Sequence, residues 1–254
     1  MALAAIGHRA PCARGAGLCD HPGRVTCRGY LLDPPYDAPA YRSSAKRAPS
    51  RPLVLLPADA APRGGPAFGS LRVCESDSDL TSQHRGEPIG ERVKVSGRLL
   101  DGDSRPVGGQ LVELWQANAA GRYAHESDRH RAPLDPNFTG AGRCITGSDG
   151  GYHFVTIKPG AYPWGNHPNA WRPAHLHFSV FGRLFTERLV TQMYFPGDPL
   201  CETDPIMASV RDPGARASMV AAFDWDATEE AWALGYRFDI VIGGHLATPV
   251  EEAR

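Results

Sequence analysis

Apolar and polar residues alternate, or form short apolar runs, over six stretches of the chain. Each stretch has the length of a β-strand, and turn sequences such as DGDSRPVGG and GSDGG separate neighbouring stretches. The six stretches span residues 91–100, 108–117, 150–160, 175–182, 188–197 and 236–244. This pattern predicts an all-β fold, a β-sandwich of mostly antiparallel strands.

The segment PGARASMVAAF, which follows Asp212, has apolar residues at helical spacing. Asp212 is a suitable N-cap, and proline and glycine suit the first turn. The sequence therefore predicts one short peripheral helix. Residues 117–143, between two predicted strands, are polar and rich in turn residues. Excursion loops of that length inside a compact domain usually carry function.

The N-terminal part of the chain lacks the strand pattern. Residues 28–69 are studded with proline, as in LLDPPYDAPAYR, and contain one apolar run, PLVLLP, that suits an edge strand or a docking arm. Residues 1–27 are rich in Arg, Gly and Ala without periodicity, which predicts a disordered extension. We therefore expect a β-sandwich domain at residues 70–254, preceded by a proline-rich N-terminal arm.

Length and charge exclude several classes of protein. With 254 residues, 42% of them hydrophobic, the chain can form one large domain with a sizeable core. Its formal net charge is -1 and no basic cluster is present, which argues against nucleic-acid binding. No apolar run approaches the roughly 18 residues of a membrane span, and the start does not resemble a signal peptide. The expectation is a cytoplasmic protein.

The six cysteines are unevenly spaced, because Cys12, Cys19 and Cys27 crowd the first 30 residues and the others lie far apart. This spacing does not predict a disulfide framework. A zinc site made of the three N-terminal cysteines with His8 and His21 is an alternative to disorder. The spacings are too long for a paired-cysteine knuckle, so disorder is favoured.

The sequence WRPAHLHFSVF, residues 171–181, places two histidines one residue apart in an apolar run. In an extended strand, His175 and His177 share one face, and Leu176 and Phe178 share the other. Neutral imidazole is the commonest metal ligand, and such a pair brings two ring nitrogens within reach of one ion. The pair predicts a metal site. The alternative is two core histidines bonded to backbone carbonyls.

Further ligands are expected in loops beside the histidine strand. Tyr123 lies in the long loop, and Tyr162 lies in PGAYPWGN, where Gly160 and Pro163 predict a fixed turn. The alternative, which is the commoner case for a tyrosine, is an ordinary amphipathic side chain with its hydroxyl in water. Their positions alone do not decide between the two interpretations.

Five motifs carry a resemblance to a known family. They are LVELWQANAAGRYAHESDR, APLDPNFTGAGRC, TIKPGAYPWGN, WRPAHLHF and TQMYFPGDPL. From DPPYDAPAYRSSAKRAP to YRFDIVIGG the chain resembles the intradiol ring-cleaving dioxygenases, and within them the iron-bearing β subunits. The resemblance implies an oxidoreductase that cleaves protocatechuate with dioxygen to 3-carboxy-cis,cis-muconate, in the β-ketoadipate pathway of aromatic catabolism. It also implies a hetero-oligomer with an α subunit of similar fold.

The resemblance implies a non-haem ferric ion, Fe(III), bound by four side chains of this chain. These are Tyr123, Tyr162, His175 and His177. Phenolate oxygen is a hard anion that suits a hard cation, and it offsets the charge of the ion in a partly buried pocket. The resemblance further implies that Tyr162 leaves the metal when a catechol binds as a dianion.

The resemblance also assigns roles to residues around the metal. Arg172 matches an arginine that stabilises charge developing on the substrate, and Gln192 matches a residue on the dioxygen side. The residues matched to the pocket walls and substrate contacts are Tyr41, Arg47, Trp115, Trp164 and Ile206. Each has an ordinary alternative, such as a salt bridge for Arg172 or core packing for a tryptophan. Gly165 stands where a compared family member has arginine, so the charge at the pocket mouth differs.

Other classes of protein fit part of the pattern. A prealbumin-like β-sandwich module that only binds sugars or proteins shares the fold, but it gives no reason for the histidine pair or for Arg172. A cupin also carries His-x-His on a strand but needs a glutamate soon after, and the first acidic residue past His177 is Glu187. Another catechol or hydroxyquinol dioxygenase of the same family is the alternative for the substrate.

Overall fold

The structure is a computed structural model that describes residues 37–47, 73–165, 170–182 and 188–250. Over these residues the chain forms eleven strands, three short α-helices and two 3-10 turns. The strands are β1 (Arg92–Asp101), β2 (Leu111–Trp115), β3 (Ala141–Ile145), β4 (Gly151–Ile157), β5 (Tyr162–Pro163), β6 (Trp171–Arg172), β7 (His175–Phe181), β8 (Arg188–Tyr194), β9 (Ala222–Phe223), β10 (Leu234–Arg237) and β11 (Ile240–Ile242). The helices are α1 (Ser44–Arg47), α2 (Pro205–Ser209) and α3 (Pro213–Ser218), and the 3-10 turns are Glu75–Ser78 and Pro199–Glu202.

Two sheets form the body of the domain. The first has the order β11-β1-β10-β9, with β4 also paired to β1, and the second has the order β3-β2-β7-β8. The second sheet is antiparallel throughout, and in the first sheet β1 runs parallel to β10 and β11 but antiparallel to β4. Strands β5 and β6 pair separately. The predicted all-β sandwich of mostly antiparallel strands is confirmed.

The hydrophobic core contains residues of both sheets. Phe154 of β4 and Phe178 of β7 are fully buried with their ring centroids 6.1 Å apart, and Phe178 also contacts Phe238 at 5.6 Å. Leu176 and Val180 of β7 belong to the same cluster. Burial of one such side chain contributes about 1.5 to 3 kcal/mol. One face of β7 is therefore held in the core.

The strand predicted at residues 236–244 is interrupted, so that prediction of a continuous strand was wrong. The carbonyl of Phe238, between β10 and β11, accepts a hydrogen bond from the hydroxyl of Tyr152, and Asp239 accepts one from the backbone of β1. Burial raises the pKa of Tyr152 well above its ordinary value, so its hydroxyl stays a donor. Gly97 of β1 lies against the Phe238 carbonyl, where a side chain would collide with it. The backbone N–H of Phe238 still donates to the carbonyl of Ser96 in β1 at 2.8 Å, so side-chain hydrogen bonds supplement the backbone pairing where the strand is interrupted.

Helix α3 begins where the sequence predicted, because the carboxylate of Asp212 accepts a hydrogen bond from the backbone N–H of Ala215 at 2.7 Å. It ends at Ser218, before the predicted end. The reason is that the backbone N–H of Ala221 donates to the carbonyl of Tyr194 in β8 at 2.9 Å. The sequence pattern did not predict α1 and α2, which have four and five residues.

Two predictions of local structure were wrong, one for the loop at residues 117–143 and one for Tyr162. Strand β3 begins inside the segment that was predicted to be a loop up to residue 143, and it pairs with β2 along its whole length. Tyr162 was predicted in a fixed turn, but it opens β5 and lies opposite Arg172 of β6. Both pairings join separate segments of the chain, which the turn signals within one segment do not report.

Much of the N-terminal region lies outside the described residues, including the predicted extension at 1–27 and the run PLVLLP. Of the predicted arm, residues 37–47 are described, and Tyr41 within them is buried. Cys74, Cys144 and Cys201 carry free thiols. In the part of the chain that the structure describes, no helix has the length and apolar character needed to span a membrane.

Candidate metal centre

His175 and His177 stand side by side on β7, on the face opposite Leu176 and Phe178. Their ring centroids are 4.8 Å apart, and 2% and 7% of the two side chains are exposed. β7 is paired on both edges, with β2 and β8, so its pleat and the direction of both histidines are fixed. Trp115 of β2 lies opposite His177 and stacks on its ring with centroids 4.9 Å apart.

Tyr123 is brought to His177 by the loop that follows β2. The amide of Asn118 organises this loop, because its oxygen accepts hydrogen bonds from the backbone N–H groups of Ala120 and Arg122 at 3.0 Å. The backbone N–H of Tyr123 donates to the carboxylate of Asp128, further along the loop, at 2.8 Å. The Tyr123 hydroxyl then lies 2.9 Å from Nε2 of His177. An irregular segment thus presents one fixed phenol to the strand.

Tyr162 reaches the same place from the β5–β6 pair. Its hydroxyl lies 3.3 Å from Nε2 of His175, and its ring meets that of Tyr123 edge to face with centroids 5.5 Å apart. The two tyrosine segments approach closely at Gly121, which has φ +77° and lies against the carbonyl of Ala161. A side chain at residue 121 would be strained and would collide with that carbonyl. The glycine therefore sets the separation of the two phenols.

The four side chains fit a single metal ion. Bonds of about 2.0 to 2.1 Å to a metal place ligands at right angles about 3 Å apart, and the observed 2.9 and 3.3 Å between hydroxyl oxygens and imidazole nitrogens agree with this spacing. No cluster of three or more His, Cys, Asp or Glu residues suited to a metal occurs among the described residues. A metal centre here depends on the two phenols. The assignment of the four ligands remains a prediction.

The ring orientation of His175 is also fixed. Its Nδ1 lies 2.7 Å from the carbonyl of Pro173, so Nδ1 carries the hydrogen and Nε2 presents its lone pair toward Tyr162. Burial lowers the pKa of His175 well below its ordinary value, and the nearby Arg172 and His177 lower it further. A neutral ring with its lone pair directed at a phenol is the form that binds a metal.

Beside the histidines, Arg172 is held in a buried network of polar side chains. Its guanidinium bonds to the carboxylate of Asp204 at 2.9 and 3.0 Å, to the hydroxyl of Tyr194 at 3.0 Å and to the amide oxygen of Gln192. Burial by itself lowers the pKa of Arg172, but Tyr194 and Asp204 outweigh burial and raise it above the ordinary value. The guanidinium therefore stays protonated in a fixed position beside the histidines, paired with the carboxylate of Asp204.

An aromatic and aliphatic cluster lies on the other side of Arg172. The ring of Trp164 lies 5.4 Å from the guanidinium carbon of Arg172 and 5.0 Å from the ring of Tyr41, and Ile206 packs in the same buried cluster. The structure thus brings together three predicted pocket residues: Tyr41 of the arm, Trp164 directly after β5, and Ile206 of α2. The side chain of Arg47 lies outside what the structure describes.

Sequence reasoning missed Tyr194 and Asp204. Tyr194 lies two residues after Gln192 on β8, so strand alternation places both on one face, and it pairs with His175 across the sheet. Asp204 precedes Pro205, which is an N-cap signal of the same kind that located α3. The alternation along β8 and the Asp-Pro cap were both visible in the sequence, but neither predicted a contact with Arg172.

The depressed pKa of His175 predicts how the stability of the metal-free protein depends on pH. In the unfolded chain this histidine takes up a proton near pH 6.5, whereas the folded protein resists it. Below that pH the unfolded state binds more protons, so the free energy of unfolding falls as the pH falls. His175 adds a slope of up to about 1.4 kcal/mol per pH unit to the free energy of unfolding below about pH 6.5, and the slope falls to zero above that pH.

Urea unfolding of the metal-free protein between pH 7.5 and pH 5.5 measures this dependence. His175→Gln should flatten the slope below about pH 6.5, while His84→Gln, at an exposed histidine, should keep the slope of the unmutated protein. An identical slope in His175→Gln would contradict the prediction.

Two family models match the sequence. The model described as Dioxygenase matches residues 64–244, and the model described as Protocatechuate 3,4-dioxygenase beta subunit N terminal matches residues 34–59. The first match covers most of the described β-sandwich, and the second covers the segment that carries Tyr41.

Known relatives cover most of the chain. It is 55% identical to the protocatechuate 3,4-dioxygenase beta chain of Burkholderia cepacia over 91% of this chain and 99% of that protein. It is 27% identical to the alpha chain of Pseudomonas putida protocatechuate 3,4-dioxygenase over 78% of this chain and 97% of that protein. The fold resembles that of 3-chlorocatechol 1,2-dioxygenase from Rhodococcus opacus, with a TM-score of 0.52 and 22% identity over 72% of this chain and 73% of that one. Because a family model matches residues 64–244 and the Burkholderia cepacia beta chain is 55% identical, the chain belongs to the intradiol ring-cleaving dioxygenases.

Proposed function

We propose that this chain cleaves protocatechuate between its two hydroxyl-bearing carbons, with dioxygen, to give 3-carboxy-cis,cis-muconate. The observation that carries the proposal is the convergence of two phenols and two imidazoles at one point, in a chain 55% identical to a protocatechuate 3,4-dioxygenase beta chain. A binding module with the same sandwich fold has no need for this cluster or for a buried cation beside it.

Intradiol dioxygenases use non-haem iron, and we propose that Tyr123, Tyr162, His175 and His177 hold it as Fe(III). When bound, ferric iron supplies a Lewis acid that binds the catecholate and makes its ring reactive toward dioxygen. The two phenols have free pKa values near 10, so they bind as phenolates only by losing their protons to solvent when the metal binds. The phenolate charges make a partly buried cation tolerable.

Tyr162 has a second role in the proposal. A catechol that binds as a dianion must lose two protons, and if the metal released the Tyr162 phenolate, that phenolate would be a base able to accept one of them. Tyr162 is suited to release because β5 has only two residues, whereas Tyr123 lies in a loop held by several hydrogen bonds. The Tyr162 hydroxyl remains within reach of the lone pair of His175.

Arg172 and Gln192 supply fixed polar groups beside the reacting ring. The guanidinium of Arg172 is suited to stabilise negative charge that develops on the ring during reaction with dioxygen. Nε2 of Gln192 is buried and has no hydrogen-bond partner among the described residues. An unpaired buried donor costs about 1 to 3 kcal/mol, which supports a role in binding a group that arrives with the substrates.

The aromatic cluster provides the walls of the pocket. Trp115 covers one face of His177, and Trp164, Ile206 and Tyr41 pack together beside Arg172. These side chains exclude water from the reacting ring, which strengthens the electrostatic interactions within the site. We assign the carboxylate of the substrate to the hydroxyl of Tyr41, with Arg47 nearby in sequence.

A second chain completes the proposed enzyme. The alpha and beta chains of protocatechuate 3,4-dioxygenase are separate proteins, and an alpha chain is 27% identical to this one, which supports a partner of similar fold. This chain exposes large apolar side chains, including Trp225 at 80% and Ile89 at 74%. Exposed apolar residues that adjoin one another, such as Phe223 and Trp225 with ring centroids 4.9 Å apart, support a surface that is covered in an assembly.

The metal assignment predicts colour and iron content. Iron-loaded protein should absorb visible light through phenolate-to-iron charge transfer, which zinc cannot produce because its d shell is full. Tyr162→Phe should retain part of the iron, change the absorption band and slow turnover of protocatechuate. His175→Ala and His177→Ala should lose the iron itself. Metal analysis, absorption spectra and mass spectrometry of the product measure these effects.

Matched control variants separate ligand loss from general damage. Tyr236→Phe removes a hydroxyl in the other sheet, and His153→Ala removes an exposed histidine on β4. Both should keep the iron, the band and the activity. A colourless, iron-free protein that still cleaves protocatechuate would overturn the assignment of all four ligands.

The substrate assignment predicts a preference for protocatechuate over catechol. A hydrogen bond to a charged group contributes about 1.5 to 3 kcal/mol, so Tyr41→Phe should reduce the ratio of the two kcat/KM values about ten- to hundredfold. Turnover of catechol itself should change little. Equal kcat/KM values for both substrates in the unmutated enzyme would contradict the assignment.

The partner proposal predicts that this chain behaves poorly when produced alone. An obligate interface is large and apolar, so the single chain should be poorly soluble and should gain solubility and activity when produced with its α subunit. Size-exclusion chromatography and activity assays of both preparations compare them. A monodisperse single chain with full activity would show that no partner is needed.

A further inference from the structure

The buried carboxylate of Asp204 makes two kinds of contact. One oxygen, Oδ1, accepts a hydrogen bond from the backbone N–H of Ile206 at 2.8 Å and so caps α2. The other, Oδ2, accepts hydrogen bonds from Nε and Nη2 of Arg172 at 3.0 and 2.9 Å. The side chain of Asp204 is fully buried. One carboxylate therefore joins the start of a helix to the cation of the site.

The same network fixes the amide of Gln192. Its oxygen, Oε1, accepts hydrogen bonds from Nη2 of Arg172 and from the hydroxyl of Tyr194, the latter at 2.7 Å. With both donors on the oxygen, the amide has one orientation, and Nε2 is the end left without a hydrogen-bond partner among the described residues. The direction of this donor thus depends on where the guanidinium lies.

Capping alone does not explain the position of Asp204. Asp212 caps α3 with an exposed carboxylate, and no ion pair to it occurs among the described residues. Burial of an ion pair is costly, and such pairs contribute little net stability compared with apolar side chains of similar size. The contacts of Asp204 are therefore better explained by geometry: the carboxylate holds Arg172 in one place relative to Ile206 and Gln192.

We propose that Asp204 is a positioning residue for the ring-cleavage reaction, acting through Arg172 and, through it, on the amide of Gln192. The inference rests on the proposed function, because Arg172 and Gln192 are assigned there to the reacting ring. Since Asp204 also starts α2, the wall residue Ile206 and the guanidinium are held by the same carboxylate. Asp204 therefore ties the position of the guanidinium to that of Ile206.

Asp204→Asn is the informative substitution because it keeps the size of the side chain and the oxygen that caps α2 but removes the charge that binds Arg172. In the iron-loaded enzyme with its partner chain, kcat should fall about hundredfold, the effect of a displacement near 1 Å in a reacting group. KM should change much less. The iron content and the visible band of the resting enzyme should stay the same, since the four proposed ligands are untouched.

A double-mutant cycle separates positioning from general damage. If Asp204 acts through Arg172, then Asp204→Asn should cost less than about threefold in kcat when Arg172→Gln is already present. Asp212→Asn, the matched cap variant, should leave kcat unchanged. Should Asp204→Asn not fold, Arg172→Lys serves instead: it keeps the charge but loses the planar fork that reaches Asp204, Gln192 and Tyr194 together, and it should also lower kcat about hundredfold.

Two results would overturn the proposal: a kcat for Asp204→Asn or Arg172→Lys within about threefold of the unmutated enzyme, or an equal loss from Asp204→Asn with and without Arg172→Gln. Neither resembles failure of the proposed function. That failure would appear in the unmutated enzyme, as an iron-loaded protein that turns over no protocatechuate, and the inference about Asp204 would then fall with it.

Discussion

The pairing of β7 between β2 and β8 is the constraint on which the rest of the site depends. A strand fixed on both edges has no freedom to rotate, so the core face with Leu176 and Phe178 and the polar face with His175 and His177 are set together. A shift of one residue in register would exchange the two faces. The hydrophobic core therefore stabilises the orientation of the candidate metal ligands as well as the fold.

Sequence patterns predicted the parts that follow from local periodicity. Alternation located most strands, and it correctly placed the two histidines on one face of β7. The interruption at Phe238 was not predictable in this way, because it depends on a hydroxyl from Tyr152, which is 86 residues away in sequence. The pairing of Tyr162 with Arg172 is closer in sequence, but it too joins two separate segments, and the turn residues beside Tyr162 gave the wrong conformation.

In the candidate site, too, some residues could be identified from the sequence and others only from the structure. The resemblance to a family supplied Tyr123 and Tyr162, which the sequence by itself left open between ligands and ordinary tyrosines. Asp204 was not identified, although its capping signal is visible, since a cap predicts a helix start and says nothing about a guanidinium in another segment. The polar network here joins residues of three segments, β6, β8 and the start of α2. Such contacts can be identified only from the folded structure, because the sequence pattern of each segment does not predict them.

Gly121 gives the structure a further property. The residue has no side chain with which to bind a metal, yet its conformation with φ +77° lets two loops touch backbone to backbone. The reach of each tyrosine is limited by its rigid ring, so the phenols cannot compensate for a wider gap between the loops. A substitution at this position would therefore change the distance between the two candidate phenol ligands while leaving the four candidate ligands themselves unchanged. A search for altered metal preference in this fold would therefore begin with the residue that separates the candidate ligands instead of the candidate ligands themselves.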